Sequence, residues 1–405
     1  MFSRLTITLV IVATLGACAS EAAEEAFTVT DSAGVAIAVS HEPLWPEGRG
    51  WRLGGQPSVL IGGGITDTSA IVGPIAGAMR LPDGRILVAD AGATRLRWFA
   101  DDGTILQSVG RKGEGPGEMQ RMDALLHVGD SIAILDGSTA RVSVFSLDGV
   151  FGRRFKMAAP PKSAFALRII GRLATGEWIG RTGSSVREVP SGIRRDTFEI
   201  WLSGSDGGVG RHVADVLGGE ALVVNGGTWG AVTRAPFEHE TTVHFHDGDL
   251  WVGTGDEFRV DQFALSGELL RSVRLAEAPT PISTSELDAV LDSARDHYAE
   301  MNDRMREGFT RVLEEAPRPT VKPAYTSFLL DDDDNIWIAR YGSGPALPSH
   351  WSVIDTAGRW LGDVPLPPGF EPTHVGTDEV LGVWTDPDGL ERVVAYPLIR
   401  DSTGM

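Results

Sequence analysis

The residues best suited to metal chemistry lie in one histidine-rich stretch, EHETTVHFHDGD. His244 and His246 are two positions apart in a predicted strand, so their side chains project from the same face, and His239 is nearby. Zinc would need a third and a fourth ligand from other parts of the chain. His127 and His374 lie in other predicted strands, but not at equivalent positions. The sequence therefore favours histidines packed in the core or exposed at a rim, and it predicts neither a resident metal nor a cofactor.

Two further motifs look like ligand-binding loops but lack the residues that such loops need. Residues 109–120, VGRKGEGPGEMQ, are rich in glycine, yet Lys112 precedes Gly113 rather than Ser or Thr, and Pro116 interrupts any helix start. In LLDDDDNIW, the sixth and twelfth residues counted from Asp331 are Ile and Gly, whereas a calcium loop needs Gly and Glu there. The sequence predicts a bend and a hairpin turn, and no bound nucleotide.

Two carboxylate and guanidinium pairs recur at corresponding positions. Asp90 with Arg95, and Asp136 with Arg141, place an acid at the end of one predicted strand and a base at the start of the next. Catalytic groups seldom recur in this way, so both pairs are predicted to be structural. The chain also lacks a Gly-x-Ser-x-Gly elbow and any Ser, His and Asp set related by spacing, so no catalytic residue is assigned.

A repeat positions these residues. Residues 84–103 and 130–149 match position by position at an offset of 46, and a third copy at 248–267 has Thr254 in place of the aspartate. Apolar and polar residues alternate over short runs between Asp-Gly turns. This pattern predicts a meander of short antiparallel strands in each copy.

Weaker copies of the same pattern extend the array to six units. Trp51–Leu53 and Ser58–Ile61 are further strand residues upstream of the first unit, while the last unit has only three strands. An N-terminal strand that completes the last unit would close the ring and remove its open edges. The six units are predicted near 75–110, 121–157, 163–213, 237–276, 323–366 and 372–398.

The pattern Val88-Ala-Asp90, Arg95, Phe99, Asp102-Gly103 is similar to the NHL-repeat propellers. The GEGPGE segment resembles the bend between blades in the bacterial six-bladed β-propeller lipoproteins, although Met119 stands where that family often has an aromatic residue. The resemblance implies an all-β fold, a six-bladed β-propeller over residues 50–400 that is closed by an N-terminal strand.

An amphipathic α-helical insertion at 283–316 interrupts the strands between blades 4 and 5. Ser283 and Glu286 form a predicted capping box, and apolar residues then recur every three or four positions. We expect a bend at Gly308. The apolar stripe is predicted to pack on the propeller, with a lid over the channel or a partner-docking helix as the alternatives.

The N-terminus predicts export. Residues 1–17 have the composition of a signal peptide, and Leu15-Gly-Ala-Cys18 resembles the lipobox of bacterial lipoproteins, with Cys18 as the site of lipid attachment. In such lipoproteins a residue other than Asp after the cysteine implies the outer membrane, and here it is Ala19. Residues 18–49 would form a lipidated tether and an N-terminal extension. The alternative is a secreted protein that the ordinary signal peptidase cleaves.

Charge restricts the possible partners. The chain has 36 Lys and Arg against 55 Asp and Glu, a net charge of −19, which argues against nucleic acid and against adhesion to anionic lipid. Contact with the membrane is therefore expected through the lipid anchor only. The predicted location is the cell envelope, at the outer membrane facing the periplasm.

The sequence predicts a binding module whose partner is an envelope protein, a peptide or a glycan. Arg181, Asp256 and Arg340 are candidate ligand-binding residues, because they end second strands and break the aspartate pattern of the first two blades; solvated loop charges are the alternative. The other function considered is a propeller enzyme of the metal-dependent lactonase or lyase type, acting on a small molecule or glycan. The resemblance implies that such enzymes use metal ligands or a histidine base on the inner strands.

Overall fold

The computed structural model describes residues 26–62, 73–161, 163, 165–183, 189–227, 229–342 and 350–400. Cys18 and the predicted signal peptide lie outside the described residues. Among the residues that the structure describes, no helix is both long and apolar enough to cross a membrane.

The described chain consists mainly of short strands with one pair of helices. The strands are β1 (Phe27–Ser32), β2 (Val35–Ser40), β3 (Arg52–Leu53), β4 (Val59–Ile61), β5 (Ile75–Arg80), β6 (Ile86–Asp90), β7 (Arg95–Phe99), β8 (Ile105–Val109), β9 (Ala124–Val128), β10 (Ser131–Asp136), β11 (Arg141–Ser146), β12 (Phe151–Lys156), β13 (Arg168–Arg172), β14 (Trp178–Arg181), β15 (Gly192–Ser203), β16 (Val209–Asn225), β17 (Gly230–Thr233), β18 (Thr242–His246), β19 (Asp249–Gly253), β20 (Arg259–Phe263), β21 (Leu269–Leu275), β22 (Tyr325–Leu330), β23 (Ile336–Arg340), β24 (His350–Ile354), β25 (Trp360–Pro365), β26 (Phe370–Val375), β27 (Glu379–Thr385) and β28 (Glu391–Ile399). The helices are α1 (Thr284–Ala299) and α2 (Asp303–Glu315).

These strands form six sheets arranged as the blades of a propeller. Blades 1, 2 and 5 are four-stranded meanders, β5 to β8, β9 to β12 and β22 to β25. Blade 3 is built from β13 to β17, blade 4 from β18 to β21 and blade 6 from β26 to β28. The first strand of each blade contacts the first strand of the next, and β26 contacts β5, so the inner strands form a closed ring. The predicted six-bladed β-propeller is confirmed.

The last blade is completed by the N-terminal segment. β28 pairs antiparallel with β3 and with β4, in the register Val393 opposite Ile61 and Ala395 opposite Val59. Ile61 is 2% exposed and packs with Val393 and Phe99 of the first blade. Because β4 comes from the start of the ring and β28 from its end, their pairing joins the two ends of the array.

A second N-terminal element lies within the segment predicted to be an extension. β1 and β2 form a hairpin, and β2 pairs parallel with β21, the outermost strand of blade 4. Blade 4 thereby becomes a six-stranded sheet. No local sequence pattern predicts this pairing, because β21, which accepts the hairpin, lies far from β2 along the chain.

The GEGPGE segment is the bend between blades 1 and 2, as predicted. Gly110 and Gly117 have φ of +92° and +74°, values that a residue with a side chain rarely adopts. Glu118 accepts a hydrogen bond from the Gly115 amide at 2.7 Å, and Arg154 of blade 2 donates to the Gly115 carbonyl at 3.0 Å. Met119 is buried in the core between the two blades.

The acidic run LLDDDDNIW is a hairpin turn, as predicted. Asp331 is 1% exposed and accepts hydrogen bonds from the Asn335 amide at 2.8 Å and from the Trp337 indole at 3.0 Å. Its carboxylate therefore organises the turn between β22 and β23.

The helical insertion is confirmed, but its bend is not where the sequence placed it. The Ser283 and Glu286 capping box is present at the start of α1. The break falls at Asn302, whose side chain caps α2 by accepting from the Met305 amide, and Gly308 is instead buried inside α2. An added Cβ at Gly308 would stand 2.7 Å from a methyl carbon of Val224, so this glycine permits close packing on β16.

The helices pack on an extension of blade 3 rather than directly on a standard blade. β15 and β16 continue beyond the blade as a long hairpin, and β17 pairs with the end of β16. Phe309 and Tyr298 stack with ring centroids 5.3 Å apart, and they bury against Leu222 and Val224 of β16. The apolar stripe thus lies in a core of its own.

The predicted ion pairs are corrected by the structure. Arg95 lies opposite Asp90 in register but is exposed, whereas the fully buried Asp90 carboxylate pairs diagonally with Arg97 at 2.9 Å. Asp90 pairs with Arg97 because both side chains are buried, whereas Arg95 is the first residue of β7 and is exposed to solvent.

Asp136 is also held differently from the prediction. Its carboxylate accepts hydrogen bonds from the Ser138 hydroxyl at 2.6 Å and from the backbone amides of Gln120 and Thr139, and not from Arg141. Burial alone would raise the pKa of Asp136, but these hydrogen bonds outweigh it and hold the pKa below its usual value.

Candidate functional site

A cavity of about 660 Å³ lies at one end of the propeller. We call this end, where β18, β22 and β26 begin, the upper face, and the opposite end the lower face. The walls come from the segment Arg234–Glu240 before β18 and from the first residues of β22 and β26. α1 covers the cavity with Ser293 and His297, because the insertion connects β21 to β22 at this face.

Two glutamates of the segment before β18 form a close pair in this cavity. Glu238 accepts a hydrogen bond from the Ala235 amide at 3.0 Å and pairs with Arg234 at 3.1 Å. The same guanidinium contacts Glu240. Burial raises the pKa of Glu238 to about 7; the Arg234 charge acts in the opposite direction and the neighbouring Glu240 carboxylate adds to the rise.

A third carboxylate reaches the cavity from blade 6. Glu371 is the second residue of the inner strand β26; it is exposed and lines the cavity. Within the described ranges its carboxylate makes no hydrogen bond and no ion pair. Partial burial raises the pKa of Glu371, opposed by Arg234 and reinforced by Glu240. The Arg234 guanidinium thus pairs with Glu238 and Glu240, while Glu371 lines the same cavity without pairing with it.

Aromatic side chains complete the cavity wall. Tyr298 of α1 is 1% exposed, and its hydroxyl has no hydrogen-bond partner among the residues that the structure describes. Burial raises the pKa of Tyr298, and the charge of Glu238 adds to this effect. Phe237 stacks on Tyr341 with ring centroids 5.9 Å apart.

Phe237 is held in a strained backbone conformation. Its φ is +54°, in the left-handed region that a bulky residue rarely adopts, and its side chain is buried. Such strain persists only where the surrounding structure imposes it, and it is concentrated at functional sites. The Phe237 conformation places its ring between two spaces. One is the cavity, and the other is an open groove that Arg311 and Val321 help to line.

The three sequence-predicted ligand residues do not line this cavity. Arg181 stacks on the ring of Phe198, 4.4 Å from its centroid, and burial followed by the charge of Arg168 lowers the pKa of Arg181. Asp256 pairs with Arg195 at 2.5 Å.

Arg340 is engaged in the packing of blade 5. It donates hydrogen bonds to the Ser352 hydroxyl at 2.6 Å and to the Glu277 carboxylate at 2.8 Å. Its guanidinium also lies over the rings of Phe258 and Trp360. The structure therefore does not bring the three predicted residues together.

The candidate metal-binding histidines also diverge. His239 bonds to Glu220 at 2.7 Å near the upper face. His244 donates a hydrogen bond from Nε2 to the Phe328 carbonyl oxygen, 2.7 Å away, and burial lowers the pKa of His244. The favoured interpretation of a packed histidine thus describes His244.

His246 has the setting closest to a metal site. Its Nε2 lies 2.7 Å from an Asp334 oxygen, and the potential ligand atoms of His246, Asp247 and Asp334 lie within 4.8 Å of one another. This group is exposed or half-buried at the lower face, at the opposite end of β18 from the cavity.

Sequence reasoning missed Glu238, Glu240 and Glu371. The available signal for the first two was the EHE triplet, in which Glu238 and Glu240 stand on either side of His239. Nothing local marks Glu371, because its role depends on blade 6 closing beside blade 5.

Comparisons with known proteins agree with this architecture. Residues 66–167, which include the first two blades, match a family model described as a 6-bladed beta-propeller. A member of the DUF4221 family from Bacteroides vulgatus is 9% identical, with a TM-score of 0.51 over 87% of this chain and 99% of its own. A Bacteroides fragilis protein described as exported is 12% identical, with a TM-score of 0.48 over 90% of this chain and 100% of its own.

A gluconolactonase from Xanthomonas campestris is 11% identical, with a TM-score of 0.43 over 81% of this chain and 87% of its own. No curated protein matches the chain significantly. At such low identities the likeness concerns the fold. The chain is a six-bladed β-propeller, similar in architecture to bacterial propeller proteins.

Proposed function

We propose that this chain is an extracytoplasmic binding protein that takes a small ligand, or the end of a peptide or glycan, into the cavity under α1. The observation that carries the proposal is the roofed cavity itself. Its volume of about 660 Å³ lies in the range typical of ligand pockets, and its wall combines aromatic rings with a few polar groups. A concave site of this size suits a small molecule or a chain end better than the flat surface of an envelope protein.

The proposed location rests on the N-terminal sequence. The predicted signal peptide supports export. The predicted lipobox at Cys18 supports a lipid anchor at the outer membrane, facing the periplasm. Without lipidation, the exported protein would be secreted. Replacement of Cys18 by Ala should release the protein from the membrane fraction. If this variant still fractionates with the membrane as the wild type does, lipid anchoring is wrong.

A variant that fills the cavity tests the binding site. Ser293 lies on α1 and faces the cavity, so Ser293→Trp should fill its mouth and abolish binding. Ala289 is exposed one turn earlier on the same helix and does not line the cavity, so Ala289→Trp is the matched control.

Binding should be measured by calorimetry with a panel of mono- and disaccharides, dipeptides and alkyl amines. We expect at least one class to bind the wild type and the Ala289→Trp variant, and to lose affinity for the Ser293→Trp variant by about tenfold or more. If a ligand binds all three proteins equally, the cavity is not the binding site. Failure of the whole panel to bind the wild type would also overturn the proposal.

One observation favours a second function, acid and base catalysis in the same cavity. A carboxyl group with a pKa of about 7, such as Glu238, can both donate and accept a proton near neutral pH, and Glu240 lies beside it. A lactone hydrolase or a lyase would use such a group. Activity should then be lost in Glu238→Gln and follow a pH profile with an inflection near pH 7 in the wild type.

The metal-dependent version of this function would involve a different place. His246, Asp247 and Asp334 are the ligand group found in the described ranges, and they lie at the lower face. A lactonase or lyase activity that falls on addition of a chelator and in His246→Ala would assign the chemistry to that face. Activity that survives both changes would exclude this group.

A further inference from the structure

We propose that the group recognised in this cavity is a cation, an ammonium or guanidinium carried by a small organic molecule. This inference rests on the proposed function and adds the chemical class of its ligand. It is argued from the charge balance of the cavity, from two polar groups that have no hydrogen-bond partner among the described residues, and from the aromatic wall.

The cavity carries more negative than positive charge. Glu238, Glu240 and Glu371 line it, and Arg234 is the lining residue that carries a fixed positive charge. When all three carboxylates are ionised, two negative charges remain without a counter-charge. This excess of negative charge gives the cavity a potential that attracts cations and repels carboxylate or phosphate ligands.

Arg234 is poorly suited to be the permanent partner of these carboxylates. Its side chain is 81% exposed, and it reaches Glu238 and Glu240 from the solvent side. An exposed ion pair of this kind contributes little to stability. A ligand cation that enters the cavity could therefore take over one of these carboxylates at small cost.

Glu371 provides the most direct anchor. It lines the cavity from β26, it is exposed there, and it has no hydrogen bond or ion pair within the described part of the chain. A cation placed against this carboxylate would form a charge-assisted hydrogen bond without displacing a side-chain partner.

Tyr298 is an independent sign that a polar ligand belongs here. Its side chain is 1% exposed, lines the cavity and carries a hydroxyl without a partner among the described residues. Buried hydroxyls are normally hydrogen-bonded. A polar group of a ligand in the cavity would supply the partner that this hydroxyl lacks, and Glu238, whose charge acts on Tyr298, lines the same cavity.

The aromatic wall suits the rest of a cationic ligand. Phe237 and Tyr341 present stacked rings, and Trp351 and Phe370 line the same space. Aromatic faces attract cations and also pack against the alkyl chains that link two charged groups. A short diamine or an alkyl guanidine combines both features.

The test is calorimetry with matched probes at roughly pH 8, where the amines are protonated and Glu238 is largely ionised. Cadaverine and agmatine are the cationic probes, and pentanediol is the neutral control of equal length. We expect both cations to bind at least about tenfold more tightly than the diol. Glu371→Gln should weaken cation binding by about tenfold, since a hydrogen bond to a charged group is lost.

Asp292→Asn provides the matched control for charge. Asp292 is on α1, is 70% exposed and pairs with Arg295 outside the cavity, so this change also removes one negative charge. Cation binding should be unchanged in Asp292→Asn. Equal losses in both variants would show a general electrostatic effect and overturn the assignment of Glu371.

The failure of this inference is distinguishable from failure of the proposed function. If cadaverine and agmatine do not bind but a neutral sugar or dipeptide does, and Ser293→Trp abolishes that binding, the cavity is a ligand site and the cation inference is wrong. If the cations bind the wild type and Ser293→Trp equally, they bind elsewhere, and the inference is also wrong. Tighter binding of cations that Ser293→Trp and Glu371→Gln both weaken would support both proposals.

Discussion

Glu238 should make the stability of this protein fall as the pH rises through neutrality. Its carboxyl group is 13% exposed and lies against Glu240, so the folded protein disfavours the ionised form. Replacement by Gln keeps an acceptor for the Ala235 amide, 3.0 Å away, but removes the charge. Glu238→Gln therefore isolates the cost of ionising this one group.

The magnitude follows from the two pKa values. The carboxyl group has a pKa of 4.5 in the unfolded chain and of about 7 in the folded protein. Each unit of difference between these two pKa values corresponds to about 1.4 kcal/mol of folding free energy. Because the folded-state pKa is raised, the stability that goes with the neutral carboxyl group is fully present below pH 4.5 and is lost as the pH rises through 7. Glu238 should therefore cost the wild type about 3 kcal/mol at pH 8 relative to its neutral form.

The assay is equilibrium urea denaturation of the wild type and Glu238→Gln in steps from about pH 5 to about pH 8. The difference in unfolding free energy between the two proteins cancels the titration of the nine histidines, which both share. We expect this difference to shift in favour of Glu238→Gln by about 2.5 kcal/mol over that range, because a small part of the cost is already present at about pH 5. Asp292→Asn, which removes an exposed charge, should show no such shift.

A difference that stays constant within about 0.5 kcal/mol across the range would refute the reasoning. It would mean that Glu238 ionises as readily in the folded protein as in the unfolded chain. Arg234 or water would then compensate the charge fully. The Glu238 carboxyl would then not act as an acid or base near neutral pH.

Three further changes test the fold that holds the site. Ile61→Ala should lower the free energy of unfolding by about 2 to 4 kcal/mol, measured by urea denaturation, because it leaves a void where the ring closes. Gly308→Val should destabilise by about 1 to 3 kcal/mol and should speed limited proteolysis of the helical insertion, because the new side chain overlaps β16. Asp331→Ala should cost at least about 2 kcal/mol by the same denaturation assay, since several buried donors lose their acceptor, and added calcium should leave the melting temperature unchanged.

Each of these changes has a neighbouring control. Leu60 is 54% exposed on the same strand as Ile61, Glu307 is exposed beside Gly308, and the Asp332 side chain is 53% exposed beside Asp331. Alanine at each control position should change the free energy of unfolding by less than about 0.5 kcal/mol. Equal effects at a control and its test position would contradict the packing described for that site, and a calcium-induced rise in melting temperature would contradict the turn.

The sequence predicted the fold well because its signals are local. Asp-Gly turns and alternating apolar residues mark each meander, and the two unassigned strands upstream of blade 1 predicted the closure at Ile61. The limits of the helical insertion were also correct, since a capping box and prolines mark them. Its bend was misplaced at Gly308, because a glycine inside a helix can serve close packing as well as bending, and the cap at Asn302 was overlooked.

The ion pairs and the site depended on information that no local pattern contains. Asp90 was assigned to Arg95 because the two are opposite in register, but burial selects the diagonal Arg97. Arg181 and Arg340 were chosen as charges that break a repeat, and both turned out to be covered by aromatic rings.

The sequence by itself determined the number of blades, the order of their strands, the closure by the N-terminus and the presence of helices between blades 4 and 5. These follow from turn residues and periodicity, which act over a few neighbours along the chain. Only the tertiary structure decided that α1 contributes to this cavity and that Glu371 lines it together with Glu238 and Glu240. The reason is physical: the pKa and the partners of a carboxylate depend on what surrounds it in space, and ring closure brings together residues that are far apart in the chain.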